Sequence, residues 1–242
     1  MREIINEYTM ESGVRGLKKQ METLCRQAAV KLVKGEQKSI SVGVKRLKEF
    51  LGRKKIHHDV RMQEPQAGVV TGLAWTSAGG EILFIETSRT KGEGKVQITG
   101  QLGDVMKESV QIALTLVKSM FPEEAETLNE SDIHIHVPAG AVPKDGPSAG
   151  ITIVTALTSM LKEKGISPEY AMTGEVSLRG GVMPIGGLPE KLMAAQRAGI
   201  RTVFIPYENR EDLEDVADEV KEDLTIIPVK RIEEVLQKTN LI

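Results

Sequence analysis

The apolar positions of the chain follow two different patterns, one in about the first quarter and one in the remainder. In the first part, apolar residues recur every three or four positions, as on one face of a helix. They are Val14, Leu17, Met21, Leu24, Cys25, Ala28, Leu32 and Val33. Alternating residues 39–42 predict a short strand, and residues 44–51 return to helical spacing. We expect a small, mostly helical unit over residues 1–55, with Cys25 buried on its helix.

After residue 66 the pattern changes to strands that alternate with helices. Predicted strands cover residues 69–75, 82–87, 95–99, 133–137, 170–173, 202–205 and 224–229. Predicted helices cover residues 102–120, 148–162, 188–198 and 210–219, with a hairpin through residues 179–181 and a last short helix. This alternation predicts an α/β domain over residues 66–242. The polar residues 56–65 have no clear period and are interpreted as a linker.

Composition narrows the class of protein. The chain has 242 residues, a formal net charge of −2 and 3% aromatic residues. It therefore has no overall attraction to nucleic acids or anionic membranes, and few aromatic side chains could stack on bases. Its apolar runs are shorter than the roughly 18 residues of a membrane span, and its first residues lack a secretory signal. The single cysteine allows neither an internal disulfide nor a thiolate metal cluster. We expect a cytoplasmic protein without membrane contact.

The most informative stretch is residues 143–150, Pro-Lys-Asp-Gly-Pro-Ser-Ala-Gly, which leads into an apolar helix. Gly146 and Gly150 permit close backbone approach, and the proline before Ser148 fixes φ. A serine at a helix start is near free N–H groups and the positive end of the dipole, which favour a developing oxyanion. The alternative is that Ser148 is only an N-cap. Ile151 allows no capping box, however, and a cap does not require two glycines and a proline.

The choice of a base for Ser148 depends on chain order. The segment matches the G-x-S-x-G motif of α/β-hydrolases, in which the histidine follows the serine. Here all four histidines precede the serine: His57, His58, His134 and His136. Lys191 is the candidate base instead, because its neighbours at three and four residues are small or apolar. They are Gly187, Leu188, Ala194 and Ala195. Such surroundings favour a buried, neutral amine that can accept the serine proton over a lysine that extends into water.

Three other motifs are interpreted as structural. His134 and His136 share one face of a predicted strand, but no third ligand accompanies them, so we expect no metal site. Residues 159–162 match S-x-x-K without the companion K-T-G, and a helix surface explains them. Residues 91–96 are similar to a phosphate-binding loop but lack its glycine spacing and its Ser or Thr, so they predict a turn.

Several motifs in combination make the chain resemble the C-terminal part of the Lon proteases, the ATP-dependent serine proteases of the AAA+ class, of the bacterial type. They are residues 11–15 (ESGVR), 72–76 (GLAWT), 143–150 (PKDGPSAG), 172–175 (MTGE) and 186–191 (GGLPEK). The resemblance covers nearly the whole chain. It implies that residues 1–55 are the small α-helical subdomain of an AAA+ module and that residues 66–242 are an α/β Lon-type proteolytic domain.

The resemblance also implies roles for individual residues. Ser148 would be the nucleophile and Lys191 the general base of a Ser–Lys dyad, with Thr173 hydrogen-bonded to the lysine. Glu86 is a candidate gate, because a carboxylate close to Lys191 favours the protonated, inactive amine; the alternative is that Glu86 is a plain carboxylate at the end of a strand. Arg15 matches the sensor-2 arginine that reads the nucleotide phosphate in the full-length enzyme.

The sequence G-x-x-x-x-G-K-[ST] occurs nowhere in the chain. We therefore expect a piece of a longer protein, beginning at an artificial Met1, that hydrolyses no ATP and holds no cofactor or metal. For the full-length enzyme, the resemblance implies ATP and Mg, a hexameric ring, and unfolded, damaged or regulatory proteins as substrates. Weak DNA binding is a further partner to be considered.

The predicted function is that of a serine endopeptidase acting on unfolded polypeptides. One alternative is a nucleic-acid or nucleotide-binding module formed by the basic residues Lys45, Arg46, Lys48, Arg53, Lys54 and Lys55. Glu49 interrupts this cluster, which favours a solvated helix face. The other alternative is a catalytically silent scaffold that only assembles into a ring.

Overall fold

A computed structural model describes residues 1–11, 13–35, 38–56, 59–76, 78–139 and 142–242 of the chain. They form two compact units, Met1–His58 with Ser77–Gly79, and Asp59–Thr76 with Gly80–Ile242. The apolar residues of each unit form their own core.

The first unit is helical. Its helices are α1 (Arg2–Tyr8), α2 (Arg15–Val33) and α3 (Leu47–Leu51), and a 3₁₀ turn at Val44–Arg46 leads into α3. Ile4, Tyr8 and Leu47 are buried, and Leu17 and Met21 of α2 pack against them. The spacing of four residues between these two side chains puts them on one face of α2, as the apolar pattern predicts.

Two predictions for this unit are wrong. Residues 39–42 form no strand, and among the described residues of the unit there is no strand with which they could pair. Cys25 is exposed on α2. None of the apolar residues of α2 is buried, and Val33 is exposed. Among the described residues, α2 packs against the core of the unit on the side of Leu17, Met21 and Leu24.

The second unit is built on a seven-stranded sheet and a two-stranded one. The strands are β1 (Val69–Thr76), β2 (Gly79–Lys91), β3 (Val96–Thr99), β4 (Ser131–His136), β5 (Tyr170–Met172), β6 (Glu175–Val176), β7 (Val182–Met183), β8 (Thr202–Pro206) and β9 (Thr225–Val229). The large sheet has the order β3-β4-β2-β1-β5-β8-β9, and β6 pairs with β7. Strands β1, β5, β8 and β9 run parallel to one another, which confirms the predicted α/β class.

Helices cover both faces of the large sheet. They are α4 (Asp104–Met120), α5 (Pro122–Asn129), α6 (Gly150–Leu161), α7 (Leu188–Arg197), α8 (Asp218–Asp223) and α9 (Ile232–Lys238). One core contains residues of α4, α6 and α9, and the other contains residues of α7 and α8. Strand β8 lies between the cores, since Phe204 belongs to the first core and Val203 and Ile205 belong to the second.

Two segments of this unit differ from the sequence prediction. Helix α5 was not predicted, although Pro122 in its first turn is a recognised start signal. The predicted helix over residues 210–219 is instead a 3₁₀ helix at Tyr207–Asp215 followed by α8. The side chain of Asn209 in this segment is buried and binds the main chain of Ile185. A contact between residues so far apart in the chain cannot be recognised from the periodicity of the sequence.

Candidate active site

Ser148 lies where a loop turns into helix α6. It is the middle residue of the 3₁₀ turn Pro147–Ala149, and α6 begins at Gly150. Gly146 has a φ of 114°, a conformation that requires glycine. A Cβ added at Gly150 would lie 2.7 Å from the main-chain nitrogen of Val176. The two glycines therefore have the roles predicted for them: one permits the turn, and the other lets α6 approach β6.

Ser148 does not act as a helix cap. Ala149 precedes α6, and no side-chain hydrogen bond caps either α6 or the 3₁₀ turn. The main chain of Ser148 is held instead. Its carbonyl oxygen accepts hydrogen bonds from the N–H of Gly174 at 2.8 Å and from the hydroxyl of Thr173 at 3.3 Å. The alternative interpretation of Ser148 as an N-cap is therefore wrong.

Lys191 is buried on helix α7. The residue is 2% exposed, and Leu188, Leu192 and Ala195 beside it on the helix are also buried. Burial lowers the pKa of the Lys191 amine from the ordinary 10.5 to about 8. No ion pair joins Lys191 to a carboxylate in the part of the chain that the structure describes. The burial expected from the small and apolar neighbours of Lys191 is confirmed.

Thr173 connects Ser148 and Lys191. It directly follows strand β5 and is fully buried. The Lys191 amine donates a hydrogen bond to the Thr173 hydroxyl at 3.1 Å, and this hydroxyl donates to the carbonyl oxygen of Ser148. Within the described residues, no hydrogen bond joins Ser148 Oγ to Lys191 Nζ. The structure thus brings three of the five predicted site residues together, with Thr173 between the other two.

The remaining two predicted residues lie apart from this group. Glu86 is half-buried on β2, opposite His136 of β4, and forms no hydrogen bond or ion pair with Lys191. Arg15 is the exposed first residue of α2 in the first unit. Neither residue has a described contact with Ser148, Thr173 or Lys191.

The two described histidines, His134 and His136, share one hydrogen-bond partner away from Ser148. His134 Nε2 and His136 Nδ1 lie 2.8 Å and 2.7 Å from the same hydroxyl, that of Thr99 on β3. In the described ranges, no group of three or more His, Cys, Asp or Glu side chains could hold a metal ion. His57 and His58 lie outside the described residues.

Residues 159–162 and 91–96, the two motifs interpreted as structural from the sequence, form hydrogen bonds that stabilise the fold. Ser159 is buried, contrary to the expected helix surface; its hydroxyl donates to the carbonyl of Lys164 and accepts the N–H of Gly68. In the turn after β2, the Asp132 carboxylate accepts the N–H groups of Glu93 and Lys95. These two hydrogen bonds lower the pKa of Asp132. The expected turn at residues 91–96 is confirmed.

Two contacts near Lys191 were missed in the sequence. Asn209 binds both the N–H and the carbonyl of Ile185, at 3.0 Å and 2.8 Å, just before the glycines that lead into α7. Trp75 of β1 lies against Gly187, the residue before α7, so closely that an added Cβ would be 2.7 Å from the Trp75 Cγ. The sequence contains a single tryptophan and a Gly-Gly pair before α7, but it does not indicate that they lie close together.

The basic cluster of the first unit is partly neutralised. Arg46 forms an ion pair with Glu49 at 3.0 Å, and Lys54 forms one with Glu7. Within the described ranges, every helix is too short or too polar to span a lipid bilayer.

An α/β domain with a serine at the entrance of one helix, a buried lysine on another and a threonine between them is arranged as in serine hydrolases that use lysine as their base. Comparison with known proteins agrees with this class. Residues 41–241 match the Lon protease (S16) C-terminal proteolytic domain, and residues 1–40 match the Lon protease AAA+ ATPase lid domain. The chain belongs to the Lon protease family, which confirms the resemblance seen in its motifs.

Curated relatives match nearly the full chain. The Lon protease of Clostridium beijerinckii is 56% identical over 237 residues, covering 98% of this chain. The Lon protease of Methanosarcina barkeri is 51% identical over 238 residues, and Lon protease 1 of Bacillus subtilis is 49% identical over 238 residues, each covering 97% of this chain. The chain spans about 30% of the length of these relatives.

Proposed function

We propose that the chain is the peptidase part of an ATP-dependent protease and hydrolyses peptide bonds of unfolded polypeptides through Ser148 and Lys191. The observation that carries this proposal is the buried Lys191 amine, whose pKa is lowered to about 8 and which shares Thr173 with the main chain of Ser148. An amine that is partly neutral near physiological pH can act as a general base without a histidine.

The reaction follows from these groups. Neutral Lys191 accepts the hydroxyl proton of Ser148 as Oγ attacks the peptide carbonyl, and main-chain N–H groups around Ser148 stabilise the oxyanion. The protonated amine then gives its proton to the leaving amine, which leaves an acyl-enzyme on Ser148. Lys191 next deprotonates a water molecule that attacks this ester, and it returns the proton to Ser148 Oγ as the acyl–Oγ bond breaks and the new carboxyl product leaves. Ser148 Oγ must approach Lys191 Nζ for the first step, a movement common at sites without substrate.

Thr173 holds Lys191 in place in this proposal, and Glu86 acts as a gate when substrate or a neighbouring chain brings its carboxylate nearer. A carboxylate beside Lys191 would raise the pKa of the amine and reduce its strength as a base at neutral pH.

The larger protein supplies the remaining activities. We place the AAA+ subdomain at residues 1–55, the linker at 56–65 and the proteolytic domain at 66–242, within a cytoplasmic hexameric ring driven by ATP and Mg. The chain has no P-loop, so its own residues do not form a nucleotide site. Arg15 would contact a phosphate only together with the rest of the ATPase. The ion pairs of Arg46 and Lys54 reduce the free positive charge available for DNA.

The test is acylation and peptide cleavage by the full chain. Ser148→Ala and Lys191→Gln are each expected to lose at least about a thousandfold in kcat, because each removes an atom of the proton transfer. Peptide mapping after reaction with a fluorophosphonate should show the adduct on Ser148. Ser88→Ala, which changes an exposed serine of β2, is the matched control and should keep wild-type activity.

Turnover by Ser148→Ala, or an adduct on another serine with loss of cleavage, would overturn the assignment. Ring formation without any labelling of Ser148 would point to the silent scaffold.

A further inference from the structure

The loop before Ser148 is organised around the side chain of Lys144. Its amine donates hydrogen bonds to the carbonyl oxygens of Gly100 at 3.1 Å, Ala139 at 2.8 Å and Val142 at 3.1 Å. A lysine ammonium has three donors, and these three acceptors use all of them. Within the described residues, no carboxylate pairs with Lys144. Its charge is therefore directed at the main chain of the loop.

The main chain of Lys144 is fixed as well. Its N–H donates to the carbonyl of Gln101 at 3.0 Å, and its carbonyl accepts the N–H of Gly103 at 2.8 Å. The next side chain adds a further tie, because Asp145 accepts the N–H of Met106 in α4 at 3.0 Å. The loop is thus attached to the end of β3 and to the start of α4.

Two residues bound by Lys144 have strained backbones. Gln101 has a φ of 60° and Ala139 a φ of 62°, in the left-handed region that residues with a Cβ seldom adopt. The described residues include only two other such non-glycine positions, Glu163 and Asn240. Conformations of this kind persist only where the surroundings hold them, and they cluster at functional sites. The carbonyls of both Gln101 and Ala139 are held by Lys144.

We infer that Lys144 is a positioning residue for the nucleophile: it holds the loop of residues 142–147 in the conformation that presents Ser148. This inference rests on the proposed function of Ser148. Lys144 touches neither Thr173 nor Lys191 in the structure, so it acts through the backbone of the loop. Loss of the three hydrogen bonds of the Lys144 amine would therefore let the strained loop change conformation, while Lys191, the proposed base, would be unaffected.

The test uses the full chain with Lys144→Met, which keeps a long side chain without the charge and donors. Lys164→Met is the matched control, because Lys164 also donates to a main-chain carbonyl but lies beyond the other end of α6. In Lys144→Met we expect kcat and the rate of fluorophosphonate labelling to fall together by about 10- to 100-fold, the range for a small misplacement of a reacting group. KM should change by less than about threefold, because in this inference the loop acts through the position of Ser148. Lys164→Met should keep wild-type kinetics.

Hydrogen exchange provides a readout independent of activity. In Lys144→Met, the amides of Gly103 and residue 144 should exchange about tenfold faster or more, and in Lys164→Met they should not change. Unchanged exchange at these amides overturns the inference whatever the kinetics show. Faster exchange with wild-type kcat overturns it too, because Lys144 would then be only structural.

The inference and the proposed function fail in different ways. If wild-type Ser148 is not acylated but Lys144→Met still accelerates exchange, the proposed function fails and the attachment of the loop to Lys144 stands. Should Lys144→Met not fold, Lys144→Gln, which retains two donors, allows the same comparison. Wild-type kcat and wild-type exchange in that variant overturn the inference.

Discussion

The amine of Lys191 and the hydroxyl of Thr173 are joined by a hydrogen bond of 3.1 Å, and both residues are buried. The two residues come from different elements, since Lys191 belongs to α7 and Thr173 follows β5. The position of the amine relative to Ser148 therefore depends on the packing of a helix against the sheet.

Replacing Thr173 by valine should lower kcat about tenfold or more. The change keeps the shape of the side chain but leaves the buried amine of Lys191 without this acceptor, at a cost of about 1–3 kcal/mol. Thr173→Ser should recover most of the loss in a peptide cleavage assay. Thr155→Val is the control, because within the described residues the buried hydroxyl of Thr155 donates to the carbonyl of Ile151 in its own helix and to no group of the site. Equal losses in the two valine variants would contradict a specific role for Thr173.

Peptide cleavage should increase with pH and level off above about pH 8. The general base must be neutral, and burial lowers the pKa of Lys191 to about 8, so the protonated, inactive amine predominates below that pH. Initial rates from pH 6 to 10, with folding followed by circular dichroism, check this expectation. A midpoint near 6.5 would indicate a histidine base, and a midpoint near 10.5 would indicate an exposed lysine.

The same pKa predicts that Lys191 destabilises the second unit at neutral pH. Between pH 8 and 10.5, the unfolded chain binds a proton that the folded chain does not, so the free energy of unfolding should rise with pH in this window. Below pH 8 the folded unit retains a penalty of order 3 kcal/mol, at about 1.4 kcal/mol per pH unit. Lys191→Met should increase the free energy of unfolding at pH 7 by roughly 1–3 kcal/mol and abolish the rise.

Urea denaturation of the full chain at pH 7 and pH 10 measures this effect. Lys107→Met, which changes an exposed lysine of α4 paired with Asp104, should alter stability by no more than about 0.5 kcal/mol. A less stable Lys191→Met variant at pH 7 would show that the buried amine is not under a desolvation penalty.

Two adjacent glycines before α7 should respond differently to alanine. Gly187 has a φ of 69° and lies against Trp75, so Gly187→Ala should destabilise the second unit by about 1–3 kcal/mol. Activity should fall as well, because the Gly187 carbonyl accepts the N–H of Lys191. An added Cβ at Gly186 has no atom within 4 Å, and Gly186→Ala should be nearly neutral.

Tryptophan fluorescence reports on this contact directly, since Trp75 is the only tryptophan of the chain. Its emission should shift in Gly187→Ala and remain unchanged in Gly186→Ala. The same emission spectrum and stability in both variants would mean that Trp75 does not constrain Gly187.

The class of the fold was predictable because strands and helices alternate regularly after residue 66. Strand β8, for example, contributes neighbouring residues to two different cores. A parallel strand buried on both faces appears in the sequence as a continuous apolar run, and such runs could be recognised. The strand predicted at residues 39–42 failed because four alternating residues do not specify a pairing partner. The helix predicted at residues 210–219 failed because the contact of Asn209 with Ile185 is tertiary.

The candidate site was predictable in its chemistry and not in its geometry. The glycines around Ser148 and the small neighbours of Lys191 indicated a tight turn and a buried amine, and the structure has both. The position of Thr173 between them came only from the resemblance to the family. The three carbonyls around Lys144 and the proximity of Trp75 to Gly187 join segments far apart in the chain, and no local pattern encodes such distances.

Ser148 lies in the turn that precedes α6 and Lys191 lies on α7, and these two helices pack into different cores, which has a consequence for when the proposed dyad can form. Thr173, which links the two segments, directly follows β5, and β5 lies between β1 and β8 in the large sheet. A chain with an incomplete sheet would not bring Lys191 near Ser148, and a serine without a base is a weak nucleophile. If Ser148 and Lys191 form the proposed dyad, its proton transfer therefore requires the completed sheet.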